Sequence, residues 1–533
     1  MLSKKLKSHL LVGAALVAAG MSASAFAKAD QQRVIVKFQP GAKAAVEKTV
    51  KAAGGHLKVD LSRFDAMAIS VPEAALNGLR NNPNVLYVEE DVKRKLLSTN
   101  EFEPNKPYGI EQVQADLVSD AAAGNRTVCI IDSGIDLGHP DLPSATVTGS
   151  FDSGTGNWYE DFNHHGTHVA GTISALANGS GVVGVMPNGT INLHIVKVFN
   201  ADGWGYSSSL VAAASECENA GANVINMSLG GTRASRTEDQ AFASLYTNGI
   251  LSIAAAGNDG NTRDSYPASY DSVVSVAAID SNKQVASFSQ QTSQVELSGP
   301  GVAVLSTVPR GTGQTSSANV AGTDFDTLAM EGSPQSSATG LLSDCGIGDA
   351  PCANAQGDVC LIQRGTISFA EKVQACEAGG GVAAIIYNNE AGPLSGTLGT
   401  TVTSIPSVGV SDTAGAQLLN LLGQTASVSV EASDWAYFDG TSMATPHVVG
   451  VAALVWSQFP ECTAPQIRQV LDMTAEDLGT AGRDNAYGFG LVQAKAAVDE
   501  LTSNGCPTVS TGGTTGGNGR GKGGKGGPKN TKN

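Results

Sequence analysis

Val128-Cys-Ile-Ile131, closed by Asp132-Ser133-Gly134, is a short apolar run that ends in a carboxylate and a turn. Runs of the same kind recur at Ile191 to Phe199, Asn223 to Met227, Ile250 to Ala255 and Val273 to Ile279. Between them lie alanine-rich stretches of helical character, Val169 to Ala177, Leu210 to Ala220 and Asp239 to Thr247. A strand that is apolar at consecutive positions has no solvated face. Its alternation with helices predicts a mostly parallel central sheet covered on both sides, an α/β fold in three layers. Functional groups of such folds gather beyond the carboxyl ends of the strands, where Asp132 falls. Taken alone, an aspartate at a strand end is common and carries little.

Working outward, the chain has 533 residues, a net charge of −16, 41% hydrophobic and 15% charged residues. That composition is globular. The acidic balance disfavours a nucleic-acid partner, and the expected state is a monomer. Residues 1–27 combine Lys4, Lys5 and Lys7, an apolar run Leu10 to Ala19 and Ala25-Phe26-Ala27. This is the pattern of a cleaved secretory signal, so a secreted, extracellular protein without a membrane span after signal removal is expected. Export permits disulfides. The eight cysteines (129, 217, 345, 352, 360, 376, 462 and 506) could pair in 105 ways, and sequence does not choose among them.

Residues 28–97 form a unit of their own. Arg33 to Phe38, His56 to Leu61, Ala66 to Val71 and Val85 to Val88 read as strands. Helices are expected at Ala42 to Ala53 and from Pro72 to Asn81, giving a ferredoxin-like β-α-β-β-α-β order. The polar stretch from Lys93 to Pro107 reads as an exposed linker, open to proteolysis. The α/β region spans 98–310 and resumes at 435–506. Between them, 311–434 shifts to Ser, Thr and Gly, with a compact α+β pattern from Val359 to Leu422, and reads as an insertion. Residues 507–533 are a flexible Gly/Lys-rich tail with five basic and no acidic residues.

Two further motifs join Asp132. His165-Gly-Thr-His168-Val-Ala-Gly171 opens a helix, and its spacing is not that of H-E-x-x-H metal ligands. Gly440-Thr-Ser442-Met-Ala-Thr-Pro-His447 sets a serine at a turn entering a small-residue helix, where a capping role is the commoner fate. Together they supply what hydroxyl attack on a peptide carbonyl needs: an alcohol, an imidazole base and a carboxylate to orient it. The G-x-S-x-G elbow of α/β-hydrolases is missing, because residue 444 is alanine.

The segments I-I-D-S-G-I-D, H-G-T-H-V-A-G and G-T-S-M-A-T-P-H resemble the three active-site signatures of the subtilisin-like serine endopeptidases, over roughly 104–310 and 435–500. The resemblance implies a subtilisin-like fold and a catalytic triad. Asp132 would orient His165, His165 would be general base and then acid, and Ser442 would be the nucleophile. His168 would be structural. Asn258, in Ala254-Ala-Ala-Gly-Asn258, would be an oxyanion-hole donor beside the Ser442 N–H. Gly203, Gly205, Ser228, Leu229 and Gly230 would sandwich an extended peptide as a middle strand. Ser228 to Gly230, Ala255 and Gly257 would wall the first specificity pocket, with Ser265 near its base. A small residue there implies a preference for large apolar P1 side chains. A structural calcium ion is implied at Asp141, Asn178 and the carbonyls of Leu176, Ser180 and Val182, although the N-terminal glutamine ligand of relatives has no clear match near Pro104.

The 28–97 unit resembles a subtilase propeptide, which implies an intramolecular inhibitor and folding template, cut off autocatalytically near residues 96–100. The insertion resembles a protease-associated domain, through Gly357 to Gly365, Phe369-Ala-Glu-Lys372 and Ile385-Ile-Tyr-Asn388. Such a domain could tune substrate access or be a passive surface. The implied partners are protein and peptide substrates.

Overall fold

The computed structural model describes residues 31–96, 99–101, 106–152, 154–200, 203–353, 355–399 and 401–509. The expected signal peptide and nearly all of the Gly/Lys tail lie outside them. No helix among the described residues is long and apolar enough to cross a membrane.

The central sheet has seven strands in the spatial order Val295–Pro300, Val273–Ile279, Leu251–Ala255, Val224–Met227, Thr127–Asp132, Asn192–Lys197 and Val147–Phe151. Every neighbouring pair is parallel. The continuous apolar runs are explained by the pleat, which sends successive side chains to opposite faces. Val128 and Ile130 pack with helices His165–Ser174 and Thr441–Gln458 on one side. Cys129 and Ile131 pack with helices Ser207–Asn219 and Arg236–Thr247 on the other. The disulfide Cys129–Cys217 ties strand to helix on that second face, and Cys462–Cys506 closes the C-terminal helices.

Helix Thr441–Gln458 is buried all round, as a helix without a polar face must be. It contains Pro446, which cannot donate to the carbonyl of Ser442. The Ser228 hydroxyl donates to that carbonyl instead, at 2.7 Å.

The N-terminal unit is a four-stranded antiparallel sheet ordered His56–Leu61, Ala66–Pro72, Gln31–Phe38, Val85–Glu90, with helices Lys43–Ala52 and Leu76–Arg80 on one face. Val34, Val36 and Phe38 face these helices. Ile35, Leu61 and Ala68 face the other way and pack on Val211 and Ala241 of the α/β region. The unit therefore docks by a sheet face.

The inserted segment builds an eight-stranded sheet with helices Phe369–Ala378 and Asp412–Leu418. Its local disulfides are Cys345–Cys352 and Cys360–Cys376.

One expectation fails here. The stretch after Lys93 is not simply an exposed linker, since Lys93–Leu96 and Thr99–Glu101 are both strands. Polarity misleads because both strands are held through main-chain pairing, which side-chain composition does not report.

Candidate active site

Asp132 ends its strand fully buried, and His165 begins its helix 1% exposed. His165 Nδ1 lies 2.8 and 3.0 Å from the two carboxylate oxygens of Asp132. The next backbone N–H, that of Ser133, donates to Asp132 Oδ1 at 2.7 Å. This leaves Nε2 of His165 buried and without a hydrogen-bond partner among the described residues. A buried imidazole nitrogen pays a desolvation cost unless something is meant to bond it.

A second layer that the sequence reading missed holds these two residues. Asp161 accepts from the Ser133 hydroxyl, from the N–H groups of Asn163 and His164, and from both N–H and hydroxyl of Thr167. It thus caps the His165 helix and ties it to the turn after Asp132. Lys197, opposite Asp132 in the adjacent strand, donates to the carbonyls of Ser133 and Glu160 at 2.5 and 2.7 Å. Burial lowers its ammonium pKa. The aspartate three residues before His164 was the available signal, being a side chain suited to helix N-termini.

Ser442 is the second residue of its helix and buried. Its hydroxyl donates to Ser228 O at 2.9 Å rather than to His165. With the Ser228 hydroxyl on Ser442 O, the two residues form a reciprocal pair. Asn258 Oδ1 accepts the N–H and hydroxyl of Thr441 at 2.9 and 2.7 Å, which leaves its Nδ2 as the remaining donor. Thr441, one residue before the serine, is a second group the sequence reading did not single out. His168 donates from Nε2 to Val304 O and Ala436 O and stacks on Phe438. Burial pushes it down to about 3, so it is neutral.

The two edges expected to hold an extended peptide are paired with a segment of the chain itself. Lys93–Leu96 is the middle strand of a three-stranded antiparallel sheet, between Trp204–Tyr206 and Leu229–Gly230. Arg94 pairs with Gly205, Lys95 with Gly230 and Leu96 with Leu229. A Cβ on Gly205 would meet the Phe199 ring at 2.9 Å. Gly203 turns the chain into the first edge, with φ +68°. Beside the second edge a cleft of about 500 Å³ is lined by Gly230, Gly257, Ser265 and, from the N-terminal unit, Arg33 and Asp91. Ala255, expected as a wall of the pocket, ends its strand fully buried and is not among the residues lining this cleft. A side chain at Gly257 would strike the Gln290 amide.

Two carboxylates of the N-terminal unit bind helix N-termini. Glu89 accepts from Arg236 N, Thr237 N and the Ser235 hydroxyl, at the start of helix Arg236–Thr247. Asp91 accepts from Ser208 N and its hydroxyl, at the start of helix Ser207–Asn219.

The five residues expected around calcium cluster, but not as a cation cage. Asp141 Oδ2 accepts Val182 N at 2.8 Å and the Trp435 indole N–H at 2.9 Å, and Oδ1 accepts the Asn178 amide at 3.0 Å. Asn178 Oδ1 takes Ser180 N and its hydroxyl, and Leu176 O takes Asn178 N. Both oxygens of the Asp141 carboxylate are taken by N–H donors, so as arranged the carboxylate offers a calcium ion no free oxygen.

The Subtilase family (Peptidase_S8) profile matches residues 124–340 and 409–490. A PA domain profile matches 315–418, and a fervidolysin N-terminal prodomain profile matches 19–91. Subtilisin amylosacchariticus of Bacillus subtilis subsp. amylosacchariticus is 38% identical over 327 residues, covering 58% of this chain and 84% of that protein. Subtilisin DY of Bacillus licheniformis is 45% identical over 212 residues, covering 39% and 76%. Among solved structures, the psychrophilic subtilisin-like protease Apa1 from the Antarctic psychrotroph Pseudoalteromonas sp. AS-11 superimposes with TM-score 0.65 and 48% identity, over 76% of this chain and 99% of that one. Fervidolysin from Fervidobacterium pennivorans, a keratinolytic enzyme, gives TM-score 0.58 and 25% identity, over 88% of this chain and 61% of that one.

Proposed function

Since the chain belongs to the subtilase family and is a serine endopeptidase with a prodomain, we propose that Asp132, His165 and Ser442 are its triad and that it is a secreted, self-processed zymogen. On a bound substrate the Ser442 hydroxyl turns from Ser228 O to the open Nε2 of His165. His165 takes the proton as Oγ attacks the carbonyl, and Asp132 holds the imidazolium that forms. The oxyanion receives Asn258 Nδ2 and the Ser442 N–H. His165 then protonates the departing amine, leaving an acyl-enzyme that water hydrolyses by the same route. His168, neutral and held between two carbonyls, serves structure.

The observation that carries this reading is the seating of Lys93–Leu96 between Trp204–Tyr206 and Leu229–Gly230. A chain held this way advances toward Ser228, whose carbonyl anchors the nucleophile. Leu96 lies opposite Leu229, and we propose self-cleavage one residue further along, at the bond after Leu97; residues 97 and 98 lie outside the described ones. Leucine there agrees with large apolar P1 side chains in the cleft at Gly257 and Ser265. The processed enzyme would act as a monomer on proteins and peptides.

Ser442→Ala should accumulate uncut precursor, and wild-type enzyme should begin at Ser98. Casein digestion should stop with a serine-directed covalent inhibitor. Complete processing of pure Ser442→Ala would overturn the assignment, and fastest cleavage after Asp or Glu would overturn the pocket.

A further inference from the structure

The grip on the segment ahead of the assigned cut does not end where Lys93–Leu96 meets its two edges. The carbonyl of Val92 accepts the N–H of Ser207 at 2.7 Å. One residue earlier, Asp91 Oδ1 accepts Ser208 N at 2.7 Å, and Oδ2 accepts the Ser208 hydroxyl. Two residues earlier again, Glu89 Oε1 accepts Thr237 N at 2.9 Å and the Ser235 hydroxyl at 3.0 Å, and Oε2 accepts Arg236 N at 2.9 Å. Counted back from Leu97 as the first, Asp91 is the seventh residue before the cut and Glu89 the ninth.

Arg33, which also bonds Asp91, leaves with the N-terminal unit when it is cut away. The other donors belong to the α/β region and stay. Ser207 and Ser208 open helix Ser207–Asn219, while Arg236 and Thr237 open helix Arg236–Thr247 behind its cap Ser235. The first N–H groups of a helix find no partner within it and carry the positive end of its dipole. In the precursor each start already holds a carboxylate in place. The two starts are also fixed relative to each other. The Ser207 hydroxyl donates to Glu238 Oε1 at 3.0 Å, and the Tyr270 hydroxyl donates to Glu238 Oε2 at 2.7 Å while accepting Ser235 N at 2.7 Å. Exposed Arg233, paired with Glu90, adds a cation, and both line the same cleft as Gly257 and Ser265.

We propose that the processed enzyme keeps these two helix starts as subsites for acidic side chains of its substrates, aspartate at the seventh residue before the cut and glutamate at the ninth. The inference rests on the endopeptidase reading and specifies its substrates. They are extended polypeptides with a short acidic stretch upstream of a large apolar residue. In the precursor Asp91 and Glu89 fill the subsites, so a substrate's carboxylates take their place only after the N-terminal unit has left.

The test uses processed enzyme and quenched peptides carrying residues 88–101, which present the Leu97–Ser98 bond in its own context. Asp91→Asn and Glu89→Gln in the peptide keep the size and remove the charge. Each should lower kcat/KM about threefold to tenfold, mainly through KM, with the gap narrowing in about 1 M salt. Ser208→Ala in the enzyme should shrink the loss caused by Asp91→Asn and leave the loss caused by Glu89→Gln. Ser235→Ala should do the reverse, whereas a general loss of stability would move both alike. Equal rates for the carboxylate and amide peptides would overturn the proposal. So would a discrimination at Asp91 that Ser208→Ala leaves untouched. Failure of the endopeptidase reading is separate: no inhibitor-sensitive cleavage of even the unaltered peptide.

Discussion

If the N-terminal unit inhibits the enzyme, as proposed, Asp91 is where that inhibition is most directly measured. Its carboxylate is fully buried and bonds Arg33 Nε at 2.6 Å, Ser208 N at 2.7 Å and the Ser208 hydroxyl. Val92 O adds the N–H of Ser207, and the Arg33 guanidinium lies 3.7 Å over the Tyr206 ring. Asp91→Asn keeps the volume and one acceptor. It removes the charge facing a helix N-terminus and turns an amide N–H toward a donor. A charge-assisted hydrogen bond is worth about 1.5–3 kcal/mol, and a helix-terminus charge up to about 2. A combined loss of about 3 kcal/mol corresponds to roughly 150-fold weaker inhibition. The assay is slow-binding inhibition of processed enzyme by separately made residues 28–97, wild type against variant. Ser208→Ala on the enzyme side should weaken binding too, and the two changes together should fall short of their sum because they share a bond. Lys43→Gln, at an exposed ion pair with Asp60, is the control and should change little. A loss under threefold for Asp91→Asn, or full additivity with Ser208→Ala, would refute the reasoning.

Three other outcomes are expected. His168 binds its proton only near pH 3 when folded but near 6.5 when unfolded, so the stability it contributes is complete above pH 6.5 and is lost as pH falls from there toward 3. At pH 4.5 the loss is about 2–3 kcal/mol, and His168→Gln in a Ser442→Ala background should show that much less acid destabilisation between pH 7 and 4.5; an identical pH slope by denaturant titration would contradict it. Thr441→Val frees Asn258 Oδ1 from one of its two donors, and kcat should drop about tenfold, a fraction of the 10²–10³ lost when such a donor is deleted from a subtilisin, with KM within about twofold. Asp141→Ala strands the Trp435 indole, Val182 N–H and Asn178 amide, costing about 2–4 kcal/mol. The shortening of its thermal half-life should be equal in millimolar calcium and in chelator, and a difference that vanishes in chelator would restore the ion to this site.

Much of this protein was legible in order. Consecutive apolar residues such as Val128 to Ile131 announce a strand buried on both faces whatever lies around it, and each active-site motif is contiguous because a strand end or helix start must present its residue within a few positions. What sequence could not supply were relations between main chains and between distant ends. The cysteine pairs, the capping of two helices by Glu89 and Asp91, and the Asp161 cluster join residues whose local patterns are unremarkable. The segment after Lys93 reads as a linker in composition because main-chain pairing with Trp204–Tyr206 and Leu229–Gly230 leaves no trace there. The oxygens around Asp141 could be named in advance, but whether they face a cation or N–H groups depends on a Trp435 nearly three hundred residues away. Local chemistry is written residue by residue; which donors meet which acceptors is settled only when the layers close.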